Sequence, residues 1–368
     1  MSQHVHIICA EVPWPADHSK AIDSFCQIKE LFEHGLKIHL HYFCSDLHCH
    51  PTELNRYCES VHKYQKKENK ALLFSSDDQE PDFQESINKD NYPVIVEGVY
   101  CSGVLSTISQ PNRKILVRMY DDECRNCDQA AKYASPFLQK YKLNKLSKNF
   151  RQIENSLPEQ PIYVFSIPEN AESFHAQYPD KGVVYLPLLY PFNEIISETG
   201  SGNFCLYHGD LSDACNEKAA HWLLTKVFND MNVPIVVAGR HASRRIQKLA
   251  HLYSHSCFIA DPSTTEIEDL IRKAHIHVLP SFSYKKPELK LIHALHAGRH
   301  CIVNEEAIAG TGLEETCYTA ATPAAFKSVI LQLLHRPFEE PEIKLRENIF
   351  QSLRKKGPVQ KLIDLLTN

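Results

Sequence analysis

The chain reads as an α/β protein of two Rossmann-like domains, and three features of the sequence predict it. From His4 to about residue 188, short apolar runs alternate with longer amphipathic ones, the pattern of parallel strands joined by crossover helices. A polar stretch from 190 to 203, carrying Pro191, Gly200 and Gly202, interrupts the alternation and reads as a linker. From 204 to 304 the alternation restarts more cleanly. A length of 368 residues suffices for two such domains, each with its own core.

The first strand is HVHIICA (4–10). An amphipathic helix follows from about Ser19 to His34, with Ile22, Phe25, Ile28, Leu31 and Phe32 on one face, and Gly35 stands where a C-terminal cap belongs. The next strands are LKIHLHYF (36–43), VIVEG (94–98), KILVRM (114–119), IYVFS (162–166) and GVVYLPL (182–188). Between 44 and 93 the pattern blurs, and KKENK and SSDDQEPDFQES read as exposed loops.

The second series has strands FCLYHG (204–209), VPIVVAG (233–239), SCFIAD (256–261), HIHVLPS (275–281) and HCIVN (300–304). Helices lie between them, over about 213–231, 243–253, 264–274 and 287–297. An amphipathic helix or pair from Glu342 to Leu366 is long enough to cross back over the first domain. The expected division is 1–190, 203–340 and a C-terminal helical segment, 341–368.

Composition narrows the function. The formal charge of −5, with no dominant basic block in either half, argues against a nucleic-acid partner. No run approaches the ~18 apolar residues of a membrane span, and the first twenty residues lack the pattern of a cleavable leader. Thirteen cysteines, odd in number and irregular in spacing, fit reduced thiols in a cytoplasmic protein better than a disulfide framework.

Neither a Gly-x-Gly-x-x-Gly after the first strand nor a Gly-Lys-Ser/Thr loop is present, which removes the main support for dehydrogenase and P-loop readings. CSDLHCH (44–50) and CRNC (124–127) offer soft ligands but complete no closed zinc pattern, so no metal is expected. What remains is a set of strand ends in the second domain: HGDLS (208–212), AGRHAS (238–243), IADPS (259–263), LPSFSYKKPELK (279–290) and AGTGLEE (309–315). In open parallel sheets, ligands bind beyond the carboxyl ends of strands.

Lys290 opens a helix at such an end and suits a diphosphate; the bland alternative is a solvated lysine on an exposed face. Gly310-Thr311-Gly312-Leu313 reads as a turn whose backbone amides and following helix favour an anion, or as an ordinary N-cap. Arg240 suits a diphosphate, His208 is a ligand or a strand-end structural residue, and Asp210 repels phosphate unless it points away. Asp121, Asp122 and Glu123 are an acceptor-holding base cluster or an acidic helix N-terminus. KYKLNKLSKNFR (140–151) carries five basic residues and no acidic one, either a lipid-facing helix or a solvated face.

In this order, these strand-end segments resemble the nucleotide-sugar-binding half of GT-B glycosyltransferases, close to Bacteroidetes-type retaining sugar transferases of mannosyl type. PWPADHSKAIDSFCQIKELFEHGLKIHLHYF (13–43) resembles their opening strand, loop and helix, and VRMYDDEC (117–124) a later strand end. The chain departs from that pattern at several points. His18-Ser19, followed by Lys20, replaces a glycine pair; Tyr120-Asp121 replaces His-Asn, with Glu123 kept and Cys124 in place of a histidine; Lys285 and His293 fall where two glutamates stand.

The resemblance implies two Rossmann-like domains facing across a cleft. It implies a nucleotide-sugar donor on His208, Gly209, Arg240, Lys290, Gly310, Thr311, Gly312 and Leu313. It implies an acceptor-side loop at His18, Ser19 and Lys20, and catalysis near Asp121 and Glu123. The implied reaction moves a sugar to a saccharide or lipid-linked acceptor in cell-envelope polysaccharide synthesis, with retention and without a cofactor or metal, in the cytoplasm or peripherally at the inner face of the membrane. The competing reading is a catalytically degenerate protein that binds a nucleotide or a partner.

Overall fold

Parallel pairing builds two sheets in the computed structural model, which describes residues 3–14, 19–44, 51–65, 81–120, 122–135, 137–187, 189, 192, 194–284, 288–355 and 357–367, with the side chains of Ser19 and Lys20 outside the description. Two compact units emerge: residues 1–123, 148–191 and 357–368 in the first, and 124–147 and 192–356 in the second.

The first unit's strands are β1 (His4–Cys9), β2 (Lys37–Cys44), β3 (Ser60–Gln65), β4 (Val94–Glu97), β5 (Ile115–Tyr120), β6 (Ile162–Phe165) and β7 (Gly182–Tyr185), laid in the order β3-β2-β1-β4-β5-β6-β7. Alternation gives the sheet two different faces. Val5, Ile7, Ile38 and Leu40 point into a core with Ile28 and Leu31 of the helix Ser19–Glu33 and Leu362 and Leu366 of the helix Pro358–Thr367. Burying each of those two leucines contributes roughly 1.5–3 kcal/mol. The helix Ser19–Glu33 ends as its glycine predicts: Gly35 has φ +83°, and the Leu36 N–H reaches back to the Leu31 carbonyl at 3.1 Å.

The alternating positions are histidines, and they form hydrogen-bonded files across three strands. His6 Nε2 meets Asp90 at 3.0 Å, His6 Nδ1 meets His41 Nε2 at 2.8 Å, and His41 Nδ1 meets the Tyr64 hydroxyl at 2.9 Å. A carboxylate only accepts, so Asp90 fixes the file: His6 donates to it, His41 donates to His6, and Tyr64 donates to His41. A second file joins His4 to His39 at 2.9 Å and His39 to Ser60 at 2.8 Å, with His62 on the same Ser60 hydroxyl at 2.9 Å.

The second unit's sheet contains β8 (Cys205–His208), β9 (Ile235–Gly239), β10 (Ser256–Ala260), β11 (Ile276–Val278), β12 (His300–Val303) and β13 (Tyr318–Thr319), in the order β10-β9-β8-β11-β12-β13. Leu206, Ala238, Ile271 and Ala274 form part of its core. Buried Arg346, on the helix Glu340–Lys355, ties this unit together by donating to the Ser197 hydroxyl and to the carbonyls of Leu295, Gly298 and Arg299.

Several elements differ from the sequence expectation for local reasons. PDFQES, read as loop, lies in the helix Pro81–Asn88, whose only buried residues are Phe83 and Ile87, too few to show a period. β3 is an edge strand with a mostly half-buried pattern, equally faint in sequence, and KKENK lies outside the described residues. The helix after β8 runs Ala214–Trp222 and then widens into a π-helical turn, Leu223–Val227, which buries Leu223, Leu224 and Val227 together. Gly357, at φ +63°, breaks the C-terminal segment into the helices Glu340–Lys355 and Pro358–Thr367, which fall in different units.

Candidate active site

Of the residues expected to hold a donor, His208, Gly209 and Arg240 sit at the C-terminal edge of the second sheet, where β8 and β9 end side by side. Their approach is close enough to require glycine: a Cβ on Gly239 would lie 2.1 Å from the Gly209 carbonyl oxygen. Beyond β8 the chain turns on Asp210, whose Oδ1 accepts from the Ser212 N–H at 2.9 Å, the Ser212 hydroxyl at 2.8 Å and the His241 ring at 3.2 Å. Partial burial works to raise the Asp210 pKa, but these hydrogen bonds prevail and hold it below the usual carboxylate range. The carboxylate is thus engaged in shaping the loop, which answers how an acid is accommodated there.

Asp213 caps the next helix by accepting from the Cys215 and Asn216 N–H groups, and that places Asn216 over the strand end. The Asn216 amide donates to the Asp210 carbonyl at 3.0 Å, and its Oδ1 accepts from Lys290 Nζ at 2.6 Å. Lys290 also meets Glu288 Oε2 at 3.4 Å and lies over the Tyr207 ring at 5.4 Å. Its side chain is only 8% exposed, so it does not lie on a solvated face. Of its three N–H donors, Asn216 and Glu288 engage two.

Glu288 is itself anchored, its Oε1 accepting from the Ser281 hydroxyl at 2.8 Å. Ser281 is fixed through its backbone by Asn304, whose Oδ1 accepts the Ser281 N–H at 2.7 Å and whose amide donates to the Ser281 carbonyl at 2.7 Å. The loops after β11 and β12 are therefore cross-braced beneath Lys290. Sequence reasoning did not identify Asn216, Glu288, Ser281 or Asn304; Glu288, two residues before Lys290 in PELK, was the readable signal.

His208 is buried at the end of β8, and its Nε2 has no hydrogen-bond partner among the described residues. Burial, and then the proximity of His277, His293 and Lys290, pushes its protonation well below the ordinary range, so it stands neutral. His293, where the resembling family has a glutamate, is likewise lowered by burial to about 4. Arg240 is half-buried after β9, and its carbonyl accepts the Leu211 N–H at 2.9 Å.

The glycine turn departs from its expected form. Gly310 and Gly312 have φ +76° and +75°, but a three-residue 3₁₀ turn, Glu314–Thr316, follows instead of a long helix. The Gly310 N–H, expected to meet an anion, donates to Glu314 Oε1 at 3.1 Å, and the Leu313 N–H donates to the Thr311 hydroxyl at 3.2 Å. Leu313 is fully buried, and Gly312 packs where a Cβ would lie 2.9 Å from Leu353.

In the first unit, Glu123 opens the helix Glu123–Tyr133 and is buried, Ser19 and Lys20 open the helix Ser19–Glu33, and His18 and Asp121 lie outside the described residues, as does Lys285 of the second unit. Beside Asp121, Tyr120 has φ +57° at the end of β5 and donates its hydroxyl to Glu97. Arg118 lies 2.8 Å from Asp23 and donates to Gln27 at 2.7 Å, and Gln27 donates to Glu97 at 2.5 Å. Burial pushes both the Asp23 and the Glu97 carboxyl up, against the pull of Arg118.

Residues 202–336 match the family model described as Glycosyl transferases group 1. No curated protein matches the chain significantly. Among solved structures, S. aureus TarM, a variant of which was solved with fondaparinux, alpha-GlcNAc-glycerol and UDP, superposes with TM-score 0.69 at 10% identity, covering 100% of both chains. HepE of Anabaena, solved with UDP and glucose, gives TM-score 0.62 at 10% identity over 100% of both chains. The BGT of phage T4, solved with UDP-glucose, gives 0.59 at 10% identity over 100% of both. Two parallel sheets with flanking helices, matched end to end in this way, make the fold that of the GT-B glycosyltransferases.

Proposed function

We propose that this protein transfers a sugar from a nucleotide-diphosphate sugar to a saccharide or lipid-linked acceptor in the synthesis of cell-envelope polysaccharide, working in the cytoplasm at the inner face of the membrane. The observation that carries the reading is Lys290: a largely buried cation at the carboxyl edge of a parallel sheet, in the segment that matches the family model. A cation so placed neutralises a leaving diphosphate without solvent competition, and its third N–H is the donor for it. In this reading the neutral His208, which lies close enough to Lys290 to feel its charge, Gly209, Arg240 and the turn Gly310–Leu313 form the donor side.

In this proposal Asp121 and Glu123 serve the acceptor hydroxyl, and the loop of His18, Ser19 and Lys20 borders it. Catalysis rests on positioning and charge neutralisation, with retention at the anomeric carbon and with neither metal nor cofactor. A second reading has its own support: Asn216, Glu288 and Glu314 already occupy donors that a diphosphate would use, as in a protein that has ceased to turn over.

The test is thermal stability with saturating UDP, GDP, ADP, CMP and dTDP in parallel, followed by a transfer assay with the matching sugar nucleotide. A ligand confined to the native state raises the melting temperature. A rise with one nucleotide and turnover of its sugar supports the transferase. A rise without turnover supports the degenerate reading, and no rise with any nucleotide overturns the donor site.

A further inference from the structure

The helix Phe137–Ser156 begins with an apolar tip that the rest of the second unit leaves open. Phe137 is 83% exposed, Leu138 61% and Tyr141 58%, side by side on the first turn and a half. Such residues ordinarily turn inward, as Phe150 of the same helix does, and three adjacent large apolar groups in water call for a partner. Immediately behind the tip come Lys140, Lys142, Lys145 and Lys148, all exposed, and the helix carries no acidic residue before Glu154. The lysines stand on a chain whose formal charge is −5, so this is a local cationic face on an acidic protein.

Spacing aligns the two features. Phe137, Tyr141 and Lys145 are four apart, as are Leu138 and Lys142, so the apolar tip continues into lysines along one stripe. Inward-facing contacts hold the helix from the other side: Gln139 donates to the Ser212 carbonyl at 3.4 Å, and the Ser147 hydroxyl donates to the Cys124 carbonyl at 3.2 Å. No helix among the described residues is long and apolar enough to cross a membrane, so this tip is suited to contact at a surface.

We propose that this stripe docks the protein on an anionic lipid bilayer, with Phe137, Leu138 and Tyr141 entering the interfacial layer and Lys140, Lys142 and Lys145 lying among lipid phosphates. Charge complementarity selects an anionic surface, and the apolar tip selects lipid over a purely polar polyanion. The inference stands on the helix alone and does not depend on the sugar-transfer reading.

The test is vesicle flotation of the full chain, with phosphatidylcholine vesicles alone or containing about 30% phosphatidylglycerol, at roughly 0.1 M and 0.5 M salt. Binding is expected only to the anionic vesicles, and weakened by salt. The triple change Lys140→Gln, Lys142→Gln and Lys145→Gln should lower vesicle affinity about 100-fold, at about fivefold per lysine. The change Phe137→Ser, Leu138→Ser and Tyr141→Ser should lower it roughly tenfold or more while leaving binding to inorganic polyphosphate unchanged. All six positions are exposed, and an unchanged melting temperature for each variant certifies the fold. Equal binding to both vesicle types, or wild-type vesicle binding by either triple variant, overturns the proposal. If the serine variant binds vesicles and polyphosphate alike at wild-type strength, the face is a general polyanion site and not a lipid-docking one.

Discussion

Acid should destabilise this protein at a mild pH, because it buries histidines in the neutral state. Burial lowers His6 to about 4, against the opposing pull of Asp90, lowers His277 to about 3, and lowers His293 to about 4. An unfolded histidine titrates near 6.5, so between those values the unfolded chain binds more protons than the native one. The sign follows: stability is full above about pH 7, falls as pH drops through 6.5, and the loss is complete only below about 3, where His277 titrates in the native state.

At pH 5.5 each of the three costs about 1.3 kcal/mol relative to pH 7.5, about 4 kcal/mol together, set against a typical total of 5–15 kcal/mol. His41 and His208, also held well below the ordinary range by burial, act in the same direction. Asp23 and Glu97, raised by burial, act in the opposite direction but are fewer. Urea unfolding monitored by circular dichroism at half-unit steps from pH 7.5 to 5.0 measures the slope. His6→Gln should remove about one proton of uptake from the first unit's transition. A stability that changes by less than about 1 kcal/mol over that range would refute the argument that these rings are held neutral by burial.

Four further outcomes follow from the geometry. Lys290→Ala should weaken nucleotide binding tenfold or more by calorimetry and cost about 1–3 kcal/mol in urea, because Asn216 and Glu288 lose their common partner. Glu314→Ala uncovers the Gly310 N–H and should tighten nucleotide binding a few-fold; weaker binding would show that the carboxylate assists the site. Gly239→Ala drives a methyl group against the Gly209 carbonyl and should cost about 1–3 kcal/mol, read from the urea midpoint. Arg346→Met strips the donor from three carbonyls and the Ser197 hydroxyl, and a loss of about 3–5 kcal/mol is expected in the second unit.

What the sequence determined by itself was governed by local rules. Strands showed as short apolar runs, Gly35 marked a helix end through its left-handed backbone, and the restart at residue 204 announced a second sheet. At Lys290 the sequence left two alternatives, a cation facing a diphosphate and a solvated lysine on an exposed face, and the 8% exposure of its side chain removes the second. Tertiary structure decided the rest. The histidines of β1, β2 and β3 are unremarkable singly, and only parallel pairing, with His4 opposite Lys37 and His39 opposite Ser60, sets their rings in file. Partners of Lys290 come from positions 216 and 288, separated by three strands of the sheet and the helices that join them, so no short window of sequence contains them both. Whether a charge is exposed or engaged is likewise non-local: Asp210 is turned to Ser212 and His241, and the Gly310 N–H is taken by Glu314, because each polar group settles on the nearest donor or acceptor that the fold brings within about 3 Å.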